Sequence, residues 1–290
     1  MKKHAYLIMA HNNFGILKKL LSLLDDPRND IYIHIDKKVK SFDFDQAVNV
    51  CQHSSVQFTD KRIDVRWGED SQVKTELLLY KTASKYNYKY YHLLSGVDLP
   101  LKTQNEIHDF FENDNRQFIF YYDVIKKIDY QRLSRYHFPK TMNTRIVTIF
   151  NVLQEKLSID RIKKYNMTLK RGYNWCSLTH DAVLYLLEHE RFIKKICKFS
   201  VCADECYKQF LFYNSSFKNR IYIDSNGNPN DMRAVDWSRR VGNSPHIYTI
   251  DDLQMLLDSD KFFARKFDEN TDSEIVDAIV NNVKARKSKI

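Results

Sequence analysis

The sequence predicts an α/β fold organised around a mainly parallel sheet. Two observations lead there. Short apolar runs alternate with stretches of helical periodicity along the first third of the chain. Polar residues, His11, Asp36 and Asp98, also stand at or just past the ends of those runs. A strand–helix–strand unit joins parallel neighbours, because a parallel pair needs a crossover connection. Ligands of open α/β sheets bind beyond the carboxyl ends of the strands, where these polar residues fall.

The elements follow in order. Residues 5–10 are a short apolar run, read as a fully buried strand. Phe14, Leu17, Leu20, Leu21 and Leu24 recur at helical spacing. Residues 31–36 make a second strand that ends in the carboxylate of Asp36, and residues 56–59 a third. Ser71 is positioned to cap a helix whose apolar face holds Val73, Leu77 and Tyr80. Residues 90–95 read as a buried strand running into a turn at 96–100, and the next helix starts near Gln104. In the second half, residues 172–179 read as a turn feeding a strand. A helix follows over 180–189, with Ala182, Val183, Leu186 and Leu187 on its apolar face. Another starts near Asp204, with Tyr207, Phe210 and Leu211 facing inward.

Composition bounds the rest. The 290 residues are 43% hydrophobic, enough for one substantial core or two packed lobes. With only 6 Gly and 5 Pro, long disordered linkers are not expected. The 18 Tyr and 18 Phe suit sugars and other amphipathic ligands, and equally an ordinary core. A net charge of +9 attracts anions. The cations gather between residues 126 and 171, interleaved with Tyr130, Tyr136, His137 and Tyr165. Cys51, Cys176, Cys197, Cys202 and Cys206 are odd in number and irregularly spaced, which fits reduced buried thiols better than a disulfide framework or a zinc site. The first apolar run is broken at His11 and Asn12, too soon for a signal peptide, and no stretch approaches the length of a membrane span.

The chemistry gathers at three places. Arg265 and Lys266 sit inside the aromatic run 262–268. Burying charge is costly unless an anion meets it, so the pair is a candidate to hold a multiply charged anion in a partly dry cleft. The plainer alternative is two charges reaching from an apolar face into water. Asp204-Glu205 is the sharpest acid–base candidate. A helix start favours the ionised carboxylate, and an ionised Glu can act as a general base. The plainer alternative is an N-terminal cap. Asp43 and Asp45 form a D-x-D pair of the kind that can hold a divalent metal on a nucleotide diphosphate. They follow a Lys-rich turn and open a helix, so a solvated helix start is expected instead. Without a metal, fixed cations such as Arg265 and Lys266 can neutralise a leaving diphosphate. Glycine-rich dinucleotide, Walker A, H-E-x-x-H and G-x-S-x-G patterns are absent, which removes support for the corresponding enzyme classes.

Seven segments, at 5–12, 31–37, 67–76, 91–103, 172–179, 203–205 and 259–268, carry a resemblance in their order along the chain. The most specific are His34-Ile35-Asp36-Lys37, the run from Leu94 through Asp98 to Thr103, and Phe263-Ala264-Arg265-Lys266-Phe267-Asp268. On these residues the chain resembles the core-2/I-branching β-1,6-N-acetylglucosaminyltransferases, their bacterial relatives and the peptide O-xylosyltransferases. The resemblance implies a GT-A-like glycosyltransferase with a Rossmann-like sheet, inverting and independent of metal. It implies Glu205 as catalytic base, Lys266 and Arg265 at the diphosphate, His11 and Asp36 at the nucleoside, and Asp98 near the ribose and donor sugar. A family Arg aligns near Asn243, where this chain has no cation, and Arg239 or Arg240 is the expected substitute.

The expected protein is a single domain over 1–290. It comprises a nucleotide-binding portion at 1–122, a basic insertion or flap at 123–171, and an acceptor and catalytic portion at 172–290. The expected reaction moves a sugar, GlcNAc as first guess, from a UDP-sugar to a hydroxyl of a glycan or lipid-linked glycan in surface polysaccharide biosynthesis. UDP-xylose, UDP-glucose and UDP-galactose stay open, and no cofactor is expected. A cytoplasmic location is expected, with peripheral contact of the basic segment at the inner face of a membrane as one option. Two rivals are carried: a basic nucleic-acid-binding protein, and a catalytically inactive sugar-binding relative. No RNA- or DNA-binding motif supports a nucleic-acid partner.

Overall fold

In the computed structural model, which describes residues 2–138 and 142–287, β1 (His4–Ala10), β2 (Asn29–Ile35), β3 (Ser55–Phe58) and β4 (Tyr90–Ser95) run parallel in one sheet. β4 leads through a turn into β5 (Leu99–Pro100) of a second, smaller sheet. β6 (Cys176–Thr179) closes the first sheet antiparallel to β4, giving the order β3-β2-β1-β4-β6. β7 (Arg233–Val235) and β8 (Phe263–Arg265) complete the second sheet in the order β5-β8-β7. The expected α/β architecture with a mainly parallel central sheet is borne out.

Among the described residues the helices are α1 (Phe14–Leu24), α2 (Phe44–Asn49), α3 (Ser71–Ala83), α4 (Gln104–Glu112), α5 (Lys127–Ser134), α6 (Thr144–Lys156), α7 (His180–Glu188), α8 (Glu190–Cys197), α9 (Tyr207–Tyr213), α10 (Leu253–Leu257) and α11 (Glu274–Lys287). β1 explains why they cover both faces of the sheet. Its side chains alternate from face to face, and all of them are buried. Ala5, Leu7 and Met9 join one core with Val73, Leu77 and Tyr80 of α3 and with α7, α8 and α9. Tyr6, Ile8 and Ala10 join the other with Leu17, Leu20 and Leu21 of α1, with α4 and with α11. A strand buried on both faces reads as a continuous apolar run, which is what residues 5–10 present.

Local chemistry fixes the joints. Thr103 caps α4 reciprocally with Glu106: the Thr hydroxyl accepts from the Glu106 amide at 3.3 Å, and the Glu carboxylate accepts from the Thr103 amide at 2.7 Å. Gly96 lets the exit of β4 pass close to the exit of β1, since a Cβ there would lie 2.7 Å from the Ala10 Cβ. The D-x-D pair is a helix start, with Asp43 accepting from the Gln46 amide at 2.8 Å.

Two expectations are corrected. Ser71 does not cap α3; it is the first helical residue, and its hydroxyl bonds the Arg66 amide and carbonyl at 2.8 and 3.3 Å. The helix expected near Asp204 is a single 3-10 turn, Ala203–Glu205, and α9 begins only at Tyr207. Cys206, between that turn and α9, takes φ −128°, which breaks the continuity. The dipole argument for Glu205 therefore loses its long helix. The basic segment holds two helices, α5 and α6. All five cysteines are free, four of them buried.

Candidate active site

A cleft of about 660 Å³ opens beyond the carboxyl ends of β1, β2 and β4. It brings together His11, Asp36, Glu205, Arg265 and Lys266, five of the six residues singled out in the sequence. The chain's three tryptophans, Trp67, Trp175 and Trp237, all line it. Large amphipathic rings of this kind suit a ligand with both apolar and hydroxylated faces. A second cleft of about 280 Å³ adjoins at Trp67, with Phe138, Phe199, Glu69 and Asp70 in its wall.

Where the cleft meets the strand ends, the backbone after β2 is pinned to that after β1, the Asp36 amide donating to the Ala10 carbonyl at 2.9 Å. Asp36 accepts from the Lys38 amide at 2.8 Å and pairs with its ammonium at 3.1 Å. Lys38, which sequence reasoning passed over, also lines the cleft. Burial pushes the His11 imidazole below its usual range. Asp36 opposes the shift, while Arg265, Lys38 and Lys266 reinforce it. His11 is thus neutral near pH 7 and has one donor and one acceptor to offer.

Arg265 ends β8, whose Phe263 and Ala264 are buried in the second sheet. Its guanidinium lies 4.6 Å over the Trp175 ring and donates to Asp98 at 2.8 Å. Asp98 is 2% exposed, and its other oxygen accepts from the Ser95 amide at 2.8 Å. Burial raises the Asp98 carboxyl, against the pull of Arg265 and that amide. Asp98 therefore stands behind Arg265 rather than lining the cleft beside a ribose. Lys266 is different. Among the described residues no carboxylate reaches it as an ion pair; its ammonium meets the Ser244 hydroxyl at 3.2 Å. Burial first, and Arg265 second, lower its pKa.

Neither expected substitute for the missing cation reaches the cleft wall. Arg239 is tied to Asp236 at 2.6 Å and to Asp252 at 2.7 Å. Asn243 and Ser244 line the wall instead.

Glu205 is held from the basic segment. Its Oε2 accepts from Arg132 of α5 at 2.5 Å and from Arg171 at 2.7 and 3.0 Å. Asp129 lies 3.3 and 3.4 Å from the same two arginines. Among the described residues no hydrogen bond reaches Oε1. The Glu205 carbonyl accepts from the Gly172 amide at 2.8 Å. A Cβ at Gly172 would sit 1.8 Å from the Phe120 carbonyl oxygen, so only glycine fits that crossing. Asp204 beside it is buried, and its carboxyl is pushed up to about 7 by burial, then by Glu76 and Glu205. Glu76 in turn forms a fully buried ion pair with Lys208 and accepts from the Tyr207 hydroxyl at 2.8 Å. Arg132 and Arg171 were invisible as partners in the sequence, lying 73 and 34 residues from Glu205.

The arrangement offers a fixed carboxylate with one oxygen unengaged among the described residues, two cations, and a polar strand-end pocket in one cleft. Comparison with known proteins identifies the family. The family model of the core-2/I-branching enzymes matches residues 4–257. The Homo sapiens N-acetyllactosaminide beta-1,6-N-acetylglucosaminyl-transferase is 24% identical over 288 residues, covering 92% of this chain and 68% of its own length. Xylosyltransferase 2 of Rattus norvegicus is 22% identical over 303 residues, covering 95% of this chain but 33% of its own length. Among solved structures, mouse xyloside xylosyltransferase 1 aligns with a TM-score of 0.40 at 11% identity, over 90% of this chain and 96% of its own. With a family match spanning most of its length and glycosyltransferases among its relatives, the chain belongs to the core-2/I-branching enzyme family.

Proposed function

We propose that the protein is a GT-A-type inverting glycosyltransferase that uses a UDP-sugar and needs no metal. The reading rests above all on one observation: Glu205 shares a cleft with Lys266, and among the described residues nothing bonds Glu205 Oε1 and no carboxylate pairs Lys266. Glu205 Oε1 takes the proton of an acceptor hydroxyl. That oxygen forms the new bond at the anomeric carbon while the bond to the diphosphate oxygen breaks, and its electron pair leaves with UDP. Fixed cations stabilise charge that develops in the transition state, so Lys266 and Arg265 meet the leaving diphosphate. His11 and Asp36 hold the nucleoside. Arg132 and Arg171 position the base.

GlcNAc is the sugar proposed first, since the relative with 24% identity is named for its transfer. The acceptor is a glycan, and the cleft adjoining Trp67 gives it room beyond the reacting hydroxyl. Surface polysaccharide biosynthesis on the cytoplasmic side, with a lipid-linked acceptor at the inner face of a membrane, is the setting that fits these features. The test is a thermal-shift screen with UDP, UDP-GlcNAc, UDP-xylose, UDP-glucose and UDP-galactose. A ligand that binds the native state raises its stability, so UDP and one sugar nucleotide should lift the melting temperature. No shift with any of them would reject the donor class.

A further inference from the structure

Helix α6 buries almost nothing of itself. Of its residues only Gln154 is buried, held by the Tyr136 amide at 2.7 Å and the Tyr136 carbonyl at 3.0 Å. Ile146, Ile149, Phe150 and Leu153 are 48%, 61%, 44% and 46% exposed, and Leu157 just past the helix is 69% exposed. They fall at i, i+3, i+4, i+7 and i+11, which makes one continuous apolar stripe along the helix. Helical spacing puts Gln154 and the half-buried Val147 on one side of that stripe, and Arg145 and Lys156 on the other. A soluble protein rarely leaves such a stripe uncovered unless something docks there.

Charge identifies the partner. Residues 126–171 contain twelve Lys and Arg against three Asp and Glu, a net +9. That equals the net charge of the whole chain, so the remainder is neutral overall. The apolar stripe thus lies within the region that carries the chain's excess of positive charge. Lys126, Lys127, Arg145, Lys156, Lys163 and Lys164 are all exposed. Two copies meeting along this segment would oppose like charge to like charge. A nucleic acid would satisfy the cations and leave the stripe in water. An anionic bilayer satisfies both, because a basic amphipathic helix lies in the interface with its apolar face at the acyl boundary and its cations among the phosphates.

We propose that α6 is the docking element that seats the protein on an anionic lipid surface. Tyr136, which grips Gln154, lies four residues beyond Arg132, so the docked helix belongs to the same segment that positions Glu205. This deepens the lipid-linked reading of the acceptor, but the docking itself requires no particular donor or acceptor.

The test is co-sedimentation of the full chain with vesicles of equal parts phosphatidylglycerol and phosphatidylcholine, and with vesicles of phosphatidylcholine alone. Binding is expected to the anionic vesicles, to weaken as salt is raised, and to be lost on neutral ones. The double substitution Ile149→Asp with Leu153→Asp should abolish binding and leave the melting temperature unchanged, since both side chains face solvent. The proposal is overturned if the wild type ignores anionic vesicles at low salt, or if the double variant binds as well as wild type. A stable dimer in solution that the double variant dissolves would also overturn it, by assigning the stripe to a second copy. Vesicle binding without sugar transfer would leave docking intact and defeat the transferase reading; transfer to a soluble acceptor without vesicle binding would do the reverse.

Discussion

Arg171 donates two hydrogen bonds to a single oxygen of Glu205, at 2.7 and 3.0 Å. Arg132 adds a third to the same oxygen at 2.5 Å. The two carboxylate oxygens thereby differ, Oε2 held by the arginines and Oε1 left for the proton in the proposed reaction. Glu205→Gln keeps the shape and removes the base. Turnover should fall by roughly 10²–10⁴, the usual worth of a general base, while the thermal shift with UDP persists. Full activity in that variant would assign the proton to another group.

Arg171→Ala should act through orientation. Misplacing a catalytic group by a small distance can cost about 10²-fold, so kcat should fall on that order while the KM for the donor stays near wild type. Arg171→Lys should restore only part of the loss, because an ammonium cannot reproduce the two-pronged contact. Equal recovery by Lys would show that charge alone suffices.

Lys266 and Arg265 should separate cleanly. Lys266→Ala should reduce turnover by about 10²–10³, as loss of one transition-state donor does, with little change in melting temperature. Arg265→Ala instead strands the Asp98 carboxylate, 2% exposed, without its cation. Breaking a buried pair costs about 3–5 kcal/mol, so that variant should melt early. Adding Asp98→Asn should return much of the stability, measured by urea unfolding. Activity should persist in EDTA; loss restored by manganese would transfer the neutralising role to a metal.

Acid should destabilise the fold well above the ordinary carboxylate range. His4, His92 and His108 form a buried cluster, with His92 3.0 Å from His4 and the His4 and His108 rings 4.0 Å apart. Burial lowers the pKa of all three and of His34, with His34 and His108 reaching about 4. The unfolded chain takes up these protons near pH 6.5, about the reference value; the folded chain takes up those of His34 and His108 only near 4, and those of His4 and His92 well below the usual range. Their contribution is therefore complete above pH 6.5 and is lost as pH falls towards 4. Asp204 and Asp231, raised to about 7 and about 6, act in the opposite sense. His11, His137 and His180 are lowered as well, and Glu76 and Asp98 raised, so seven lowered histidines outweigh four raised carboxyls and the urea midpoint should drop between pH 7.5 and 5, a comparison that spans most of the window. A midpoint that rises across that interval would refute this balance.

The sheet was legible because its central strands are buried on both faces. Residues 5–10 are apolar throughout, 31–35 and 90–95 are broken only by His34, His92 and Ser95, and the polar residues that follow the runs mark the strand ends. The second sheet was not legible, since β5, β7 and β8 are two or three residues long and too short to display a period. Ser71 misled because a serine before a helical pattern reads as a cap, whereas its hydroxyl serves the loop at Arg66. Asp98 misled for a different reason. Its place past a strand end fits a ligand contact, and only the fold reveals that Arg265 arrives from 167 residues away to occupy it. Of the groups around Glu205, the neighbours in sequence were found and the arginines were not, because ion pairing across the fold leaves no local pattern.

Gly172 ties Glu205 to a crossing of two main chains. Its amide holds the Glu205 carbonyl, and its missing side chain makes room for the Phe120 carbonyl. The main-chain position of Glu205 is therefore set where two main chains cross. A single methyl group at 172 would push those chains apart, so one of the smallest possible substitutions would disturb the cleft from outside its wall.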